Sequence, residues 1–313
     1  MKLSLVIPTY NEEGNVEKFY NEVTRVFDGE VADYELVFVN DGSSDTTMAR
    51  LRELHREKDN IQVVSFSRNF GKEAAMYAGL SHARGELVCI IDADLQQRPE
   101  VVLEMLKVMD SDPDIDCVTA YQKKRREGGI LRALKSLFYK IINKISEVDF
   151  VNGASDFRLM KRRMVDAILS LTEYHRFSKG IFGFVGFNTK YIPYEVCRRE
   201  SGKTKWSPRK LFKYALDGIF AFSTAPLKIS TGLGFLSALG SVIYLIVVII
   251  QKLAFGIDAP GYATIVVLLL LIGGVQLVCL GMVGEYIARM YGETKRRPIY
   301  IEKEHLDTKN DRT

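Results

Sequence analysis

The first 120 residues alternate short apolar runs with longer stretches of helical period. Leu3-Ser4-Leu5-Val6-Ile7 and Leu36-Val37-Phe38-Val39 are almost continuously apolar rather than alternating. That pattern belongs to strands covered on both faces in a mostly parallel sheet. Strands are predicted at 2–8, 35–40, 62–67, 86–91 and 116–120, and helices at 15–27, 45–58, 72–83 and 99–109. In open α/β sheets ligands bind beyond the carboxyl ends of the strands, and the polar residues concentrate there. Pro8-Thr9-Tyr10-Asn11-Glu12 follows the first strand, Asn40-Asp41-Gly42-Ser43 the second, Arg68-Asn69-Phe70-Gly71-Lys72 the third and Asp92-Ala93-Asp94-Leu95-Gln96 the fourth.

The pattern changes towards the other end. Residues 229–251 form a run of 23 without a formal charge, and 259–284 a run of 26. As helices they would extend about 35–39 Å, enough to cross a bilayer core of about 30 Å. Only seven residues separate them, so a membrane hairpin is predicted. No ionisable residue falls inside either run, which argues against an ion or proton pathway. Two further segments have an apolar stripe with cations beside it. One, at about 129–147, carries Ile130, Leu134, Leu137, Phe138 and Ile141 with Arg132, Lys135, Lys140 and Lys144. The other, at 208–227, carries Leu211, Phe212, Ala215, Ile219 and Phe222 with Arg209, Lys210 and Lys213. Such helices lie in the headgroup layer. The expected organisation is a catalytic domain over 1–228 that includes these juxtamembrane helices, two membrane helices within 229–284, and a tail over 285–313.

Charge orients this layout. The net charge of +4 is too mild to imply nucleic acid, and no nucleic-acid partner is expected. Its distribution matters more: Arg198, Arg199, Lys203 and Lys205 precede the hairpin, Arg289, Lys295, Arg296 and Arg297 follow it, and the connection holds only Lys252. The positive-inside rule then puts both termini and the domain before the hairpin on the cytoplasmic side of the membrane. The N-terminus lacks a signal-peptide layout. The four cysteines have no CxxC pair and read as isolated reduced thiols.

The chemistry centres on carboxylates. Asp92-Ala93-Asp94 brings two hard oxygen donors to a turn after a buried strand, a geometry suited to one Mg²⁺ or Mn²⁺ that also bridges phosphate oxygens. Asp41 lies at the edge where a nucleoside would sit, although Asp-Gly-Ser is also turn chemistry. Neither GxGxxG nor GxxxxGK[ST] occurs, so a dinucleotide fingerprint and a P-loop are excluded. An acidic site would need a divalent cation to accept an anionic diphosphate.

These stretches resemble the family-2 glycosyltransferases of the polyisoprenyl-phosphate type, which include bactoprenol glucosyltransferases and dolichol-phosphate-mannose synthases. The matching segments are 7–13 (IPTYNEE), 39–45 (VNDGSSD), 68–80 (RNFGKEAAMYAGL), 92–100 (DADLQQRPE), 155–160 (SDFRLM), 199–206 (RESGKTKW), 284–287 (GEYI) and 295–298 (KRRP). Two departures are visible: Gln97-Arg98-Pro99 stands where the family usually has an acid before proline, and Ser155 stands where it has glycine. The resemblance implies a GT-A-like, Rossmann-type sheet with helices on both faces, and inverting transfer of one sugar from a nucleotide diphosphate sugar to a polyisoprenyl phosphate lipid. It implies that Pro8, Tyr10, Glu12, Asp41 and Asp92 hold the nucleotide. Asp92, Asp94 and Gln96 would bind Mg²⁺ or Mn²⁺, Asp94 and Asp156 would be catalytic, and Arg199 and Lys205 would hold the acceptor phosphate. Asp156 is left as either a base or an orienting group, and which of Lys123 to Arg126 faces the diphosphate is left open. UDP-glucose and undecaprenyl phosphate are the suggested substrates, with GDP-mannose as the alternative donor, and relatives suggest a homo-oligomer of tetramer type. A processive polysaccharide synthase would need more spans and a QxxRW motif, and neither is found in the sequence. A non-catalytic nucleotide-sugar-binding membrane protein would not need the intact acid set.

Overall fold

The structure is a computed structural model that describes residues 3–122, 143, 148, 154–195, 219–220, 223–255 and 261–307. The elements follow the order β1 (Leu3–Thr9), α1 (Val16–Phe27), β2 (Tyr34–Asn40), α2 (Thr47–Glu57), β3 (Ile61–Phe66), α3 (Lys72–His82), β4 (Leu87–Ile90), α4 (Pro99–Ser111) and β5 (Cys117–Gln122). Then come β6 (Ala154–Lys161), α5 (Arg162–Ser170), α6 (Ser178–Phe184), β7 (Thr189–Tyr194), α7 (Ala225–Phe255), α8 (Tyr262–Thr294) and β8 (Glu302–Asp307).

All eight strands join one sheet in the order β7-β5-β6-β4-β1-β2-β3-β8. The run β4-β1-β2-β3 is parallel, as the continuous apolar strands require, while β6 and β8 pair antiparallel to their neighbours. Successive side chains of a strand leave the sheet on opposite faces, so each strand feeds two cores. Leu5 and Ile7, Leu36 and Phe38, and Ile61 and Val63 pack under α1, α2 and α4. Val6, Val37, Val39, Val64 and Phe66 pack under α3, α5 and α6. The stripe Val16, Phe19, Tyr20, Val23 and Phe27 buries one face of α1 at helical spacing. Gly79 lets α3 lie directly on β1: a Cβ there would stand 2.2 Å from a methyl of Val6.

Helices α7 and α8 pack on each other as an antiparallel hairpin and extend beyond the predicted spans at several ends. At 31 and 33 residues they reach about 46–50 Å. Both are long and apolar enough to cross a membrane. Leu253 and Leu277 are 82% and 71% exposed, which lipid would cover.

Residues 285–313, expected as a tail, are structured over part of their length. Residues up to Thr294 complete α8, and β8 then closes the sheet edge against β3. The strand is polar, so alternation did not mark it. Its docking rests on long-range pairs instead: Arg52 with Glu304 at 2.5 Å, His82 with Glu302 at 2.8 Å, and Arg84 with the buried carboxylate of Asp307. Covering β3 in this way moves the sheet's edge from an apolar strand to a polar, charged one.

Candidate active site

The loop after β1 is stitched to the loop after β2 through its backbone. Asn11 N–H donates to Ser43 Oγ at 3.0 Å, Glu12 N–H to Thr47 Oγ1 at 2.9 Å, and Ser44 N–H to Asn11 Oδ1 at 2.9 Å. Asn11 adopts φ 54°, a left-handed turn that asparagine tolerates. Pro8 sits inside β1, Tyr10 is 40% exposed at the strand's end, and the Glu12 carboxylate accepts from Asn15 Nδ2 at 2.5 Å, which anchors the entry to α1.

Asp41 is buried and ties the third loop to the second. Its Oδ1 accepts from Phe70 N–H at 2.6 Å and its Oδ2 from Gly71 N–H at 2.9 Å. Burial pushes its carboxyl above the usual range, against those two donors and the Arg68 charge. Gly42 sits at φ +61°, where a Cβ would stand 2.3 Å from the backbone carbon of Arg68. The turn chemistry read at Asp41 is therefore real, and it also sets the position of the loop that starts α3.

That helix delivers the residue on which the site converges. Lys72, its first residue, places Nζ 2.7 Å from Asp92 Oδ1 and 3.2 Å from Asp156 Oδ2. Asp92 follows β4 and Asp156 lies on β6, which pairs with β4, so three separate elements meet at one ammonium. Gln97 fixes Asp92 further: the Asp92 N–H donates to Gln97 Oε1 at 2.9 Å and Gln97 Nε2 donates to Asp92 Oδ2 at 3.2 Å. The departure from the family's usual acid at this position thus supplies a neutral bidentate brace. The turn continues with Leu95 at φ 56° and Gln96 N–H donating to Asp94 Oδ1 at 3.1 Å.

Electrostatically the cluster is a cation shared between acids. Burial alone would lower the Lys72 ammonium, but Asp92 and Asp156 more than offset it, so it stays protonated well above neutral pH. Burial would raise the Asp156 carboxyl, yet Lys72, Lys179 and Arg158 hold it below the usual carboxylate range. Beneath it Arg158 is 4% exposed, lies 3.4 Å over the Phe182 ring and donates to the Ser155 carbonyl at 3.0 Å. Glu73, next to Lys72, moves the opposite way from Asp156. Burial first, then the charge of Asp156, pushes it up to about 7, although Ser178 donates to it through both N–H and hydroxyl. Between 4.5 and about 7 the folded chain therefore binds more protons here than the unfolded chain, and stability falls as pH rises through that window. Glu73→Gln should flatten this slope, which melting curves of the purified protein between pH 5 and 8 would reveal. Glu73 also lines a cavity of about 260 Å³ with Arg68, Phe70, Tyr174, His175 and Arg176.

The structure thus brings Asp92, Asp94, Gln96 and Asp156 to one sheet end with Pro8, Tyr10, Glu12 and Asp41 alongside. Asp92, Asp94 and Gln96 offer two carboxylates and an amide oxygen, hard donors that fit Mg²⁺ or Mn²⁺. Among the described residues no group of three or more His, Cys, Asp and Glu is arranged for a metal, so protein carboxylates alone would not close a shell. Arg199 and Lys205, the Lys123 to Arg126 run and nearly all of 129–147 and 208–218 lie outside the described residues. Lys72, Glu73 and Gln97 have no role assigned from sequence, and Arg158 only that of a basic neighbour Asp156 could orient. Lys72 was signalled by its place behind Gly71 at a helix start and inside the matching segment 68–80. Cys89 and Cys117 are free and buried, as isolated thiols should be.

The family model for "Glycosyl transferase family 2" matches residues 4–169, over half of the chain. The chain belongs to glycosyltransferase family 2. A second model, "GtrB C-terminal hairpin", matches residues 225–290 and coincides with α7 and α8, so this glycosyltransferase is membrane-anchored. Its relatives run nearly end to end. The bactoprenol glucosyl transferase of Shigella phage SfV is 40% identical over 304 residues, 97% of this chain and 98% of the relative. The prophage bactoprenol glucosyl transferase homolog of Escherichia coli (strain K12) is 40% identical, over 97% and 99%. CsbB of Bacillus subtilis (strain 168) is 42% identical over 302 residues, 96% and 91%.

Proposed function

We propose that this glycosyltransferase moves glucose from UDP-glucose to the phosphate of a polyisoprenyl lipid, undecaprenyl phosphate, with inversion at the anomeric carbon. The observation that carries the reading is the Asp92–Lys72–Asp156 cluster at the carboxyl ends of the sheet, in a chain whose hairpin is clothed in lipid-facing apolar residues. Relatives named bactoprenol glucosyl transferases supply the sugar and the lipid.

In this reading Pro8, Tyr10, Glu12, Asp41 and Asp92 hold the nucleotide. A Mg²⁺ or Mn²⁺ ion held by Asp92, Asp94 and Gln96 would supply the Lewis acidity that eases departure of the diphosphate. Lys72 keeps Asp92 and Asp156 fixed and holds Asp156 ionised. Asp156, paired to a lysine, is a poor proton acceptor. The lipid phosphate needs no strong base, because its second pKa lies near 6 and its oxygen is already an anion at neutral pH. Asp156 therefore orients rather than deprotonates. Arg199 and Lys205 hold that phosphate at the bilayer surface, where guanidinium and ammonium suit it as fork and point charge. The hairpin crosses the cell membrane with both termini cytoplasmic, by the charge asymmetry of its flanks, and the enzyme works as a homo-oligomer.

The test offers purified enzyme, Mg²⁺ or Mn²⁺ and undecaprenyl phosphate a panel of labelled nucleotide sugars, and follows label into organic solvent. UDP-glucose should be preferred and Asp94→Asn should lose about 10³-fold in rate. Preference for GDP-mannose would replace the proposed donor, and no lipid-linked product with any sugar would end the reading.

A further inference from the structure

A short chain of contacts leads from the second membrane helix to Lys72. Near the end of α8, the Glu293 carboxylate accepts from the Tyr174 N–H at 3.0 and 3.1 Å and from the His175 N–H at 3.3 Å. Its neighbour Gly292 packs so closely that a Cβ there would stand 2.9 Å from His175 Nε2. Residues 171–177, between α5 and α6, have no regular structure of their own. They are held from both sides: by Glu293 at Tyr174 and His175, and by Arg176, which donates to the Leu171 carbonyl and stacks 4.5 Å over Tyr77 of α3. Three residues beyond His175, Ser178 donates its N–H to Glu73 at 3.0 Å and its hydroxyl to the same carboxylate oxygen. Glu73 is the residue after Lys72. A helix that only anchors the protein has no need of two backbone contacts to an irregular loop whose far end grips the catalytic domain's α3.

We propose that Glu293 is a positioning residue for the transfer reaction: it fixes the 171–177 loop so that Ser178 and Glu73 set the start of α3 and, with it, the lysine between Asp92 and Asp156. The membrane hairpin thereby acts on the site as well as tethering it, and chemistry is coupled to the helix being seated. This rests on the reading of Asp92, Lys72 and Asp156 as the transfer site.

The test uses the full chain in lipid nanodiscs, with kcat and KM for the nucleotide sugar measured separately. Glu293→Ala should lower kcat about tenfold, within the range such couplings reach, and leave KM within about twofold. Ser178→Ala should lower kcat in the same way. Because the two residues act in series, the double variant should be no worse than the weaker-performing single variant, whereas independent sites would multiply their losses. Glu293→Gln keeps one acceptor oxygen and should recover most of the rate. If Glu293→Ala does not fold, Glu293→Leu, which fills the side chain's space but accepts no hydrogen bond, takes its place in the same cycle with Ser178→Ala. A rate within about twofold of wild type for Glu293→Ala, multiplying losses, or a KM that rises in step with the fall in kcat would each overturn the proposal. Asp94→Asn, run alongside, separates the two readings. If it is fully active, the transfer site itself is misassigned. If it loses about 10³-fold in rate while Glu293→Ala is normal, only the coupling fails.

Discussion

Lys72→Met should lower kcat about 10²–10³-fold, the cost of removing one preorganised charge from a site where charge develops. The ammonium is 2.7 Å from Asp92 and 3.2 Å from Asp156, so its loss leaves two facing carboxylates without their shared counter-charge. Methionine keeps the stem's length and packing, which confines the change to the charge. Asp156, which Lys72 helps hold below the usual carboxylate range, should then titrate higher, and the acid limb of the pH–rate profile should move to higher pH. Lys72→Arg should restore part of the rate without restoring the wild-type profile, since a planar fork meets the two carboxylates differently from a point charge. Steady-state rates between pH 5 and 9 would check both points. A loss under about fivefold, with the acid limb unmoved, would remove Lys72 from the machinery.

That lysine also marks where sequence stops being enough. The four parallel strands were legible because their apolar runs are continuous, and the strand-end loops were legible because polar residues interrupt those runs at the same end. Asp92 and Asp94 stood out because two acids one residue apart after a buried strand have few other uses. Lys72 did not. It belongs to a helix start whose partners, Asp92 and Asp156, are 20 and 84 positions away, and no local pattern joins them. Glu73 and Ser178 are 105 positions apart, and Arg84 and Asp307 are 223 apart. β8 is the extreme case: its residues Glu302 to Asp307 read as a polar tail until the exposed edge of β3 and the cations Arg52 and Arg84 are placed beside them. β6 and α5 were hidden differently. Their residues follow the amphipathic segment at about 129–147, and β6 enters the sheet out of chain order, between β4 and β5. The hairpin was the easiest element to see, because a bilayer imposes a length that no core helix needs.

Asp94→Asn should cost more than Asp156→Asn at neutral pH, about 10³-fold against about 10–10²-fold in kcat, because they remove different things. Asp94 Oδ1 accepts the Gln96 N–H, and an asparagine amide oxygen keeps that bond. The substitution therefore preserves the turn and deletes only the charge that a divalent cation would use. The Mg²⁺ or Mn²⁺ concentration at half-maximal rate should rise with it. Asp156→Asn instead leaves Lys72 with Asp92 as a partner 2.7 Å away and still offers it an amide oxygen. The ammonium shifts towards one acid rather than losing both, and the metal requirement should stay near that of wild type. The acceptor phosphate brings its own anionic oxygen, so no proton has to leave through Asp156. Metal titrations of the two variants in purified form separate the roles. Equal losses, or a raised metal requirement in Asp156→Asn alone, would make Asp156 the chemical group and Asp94 the scaffold.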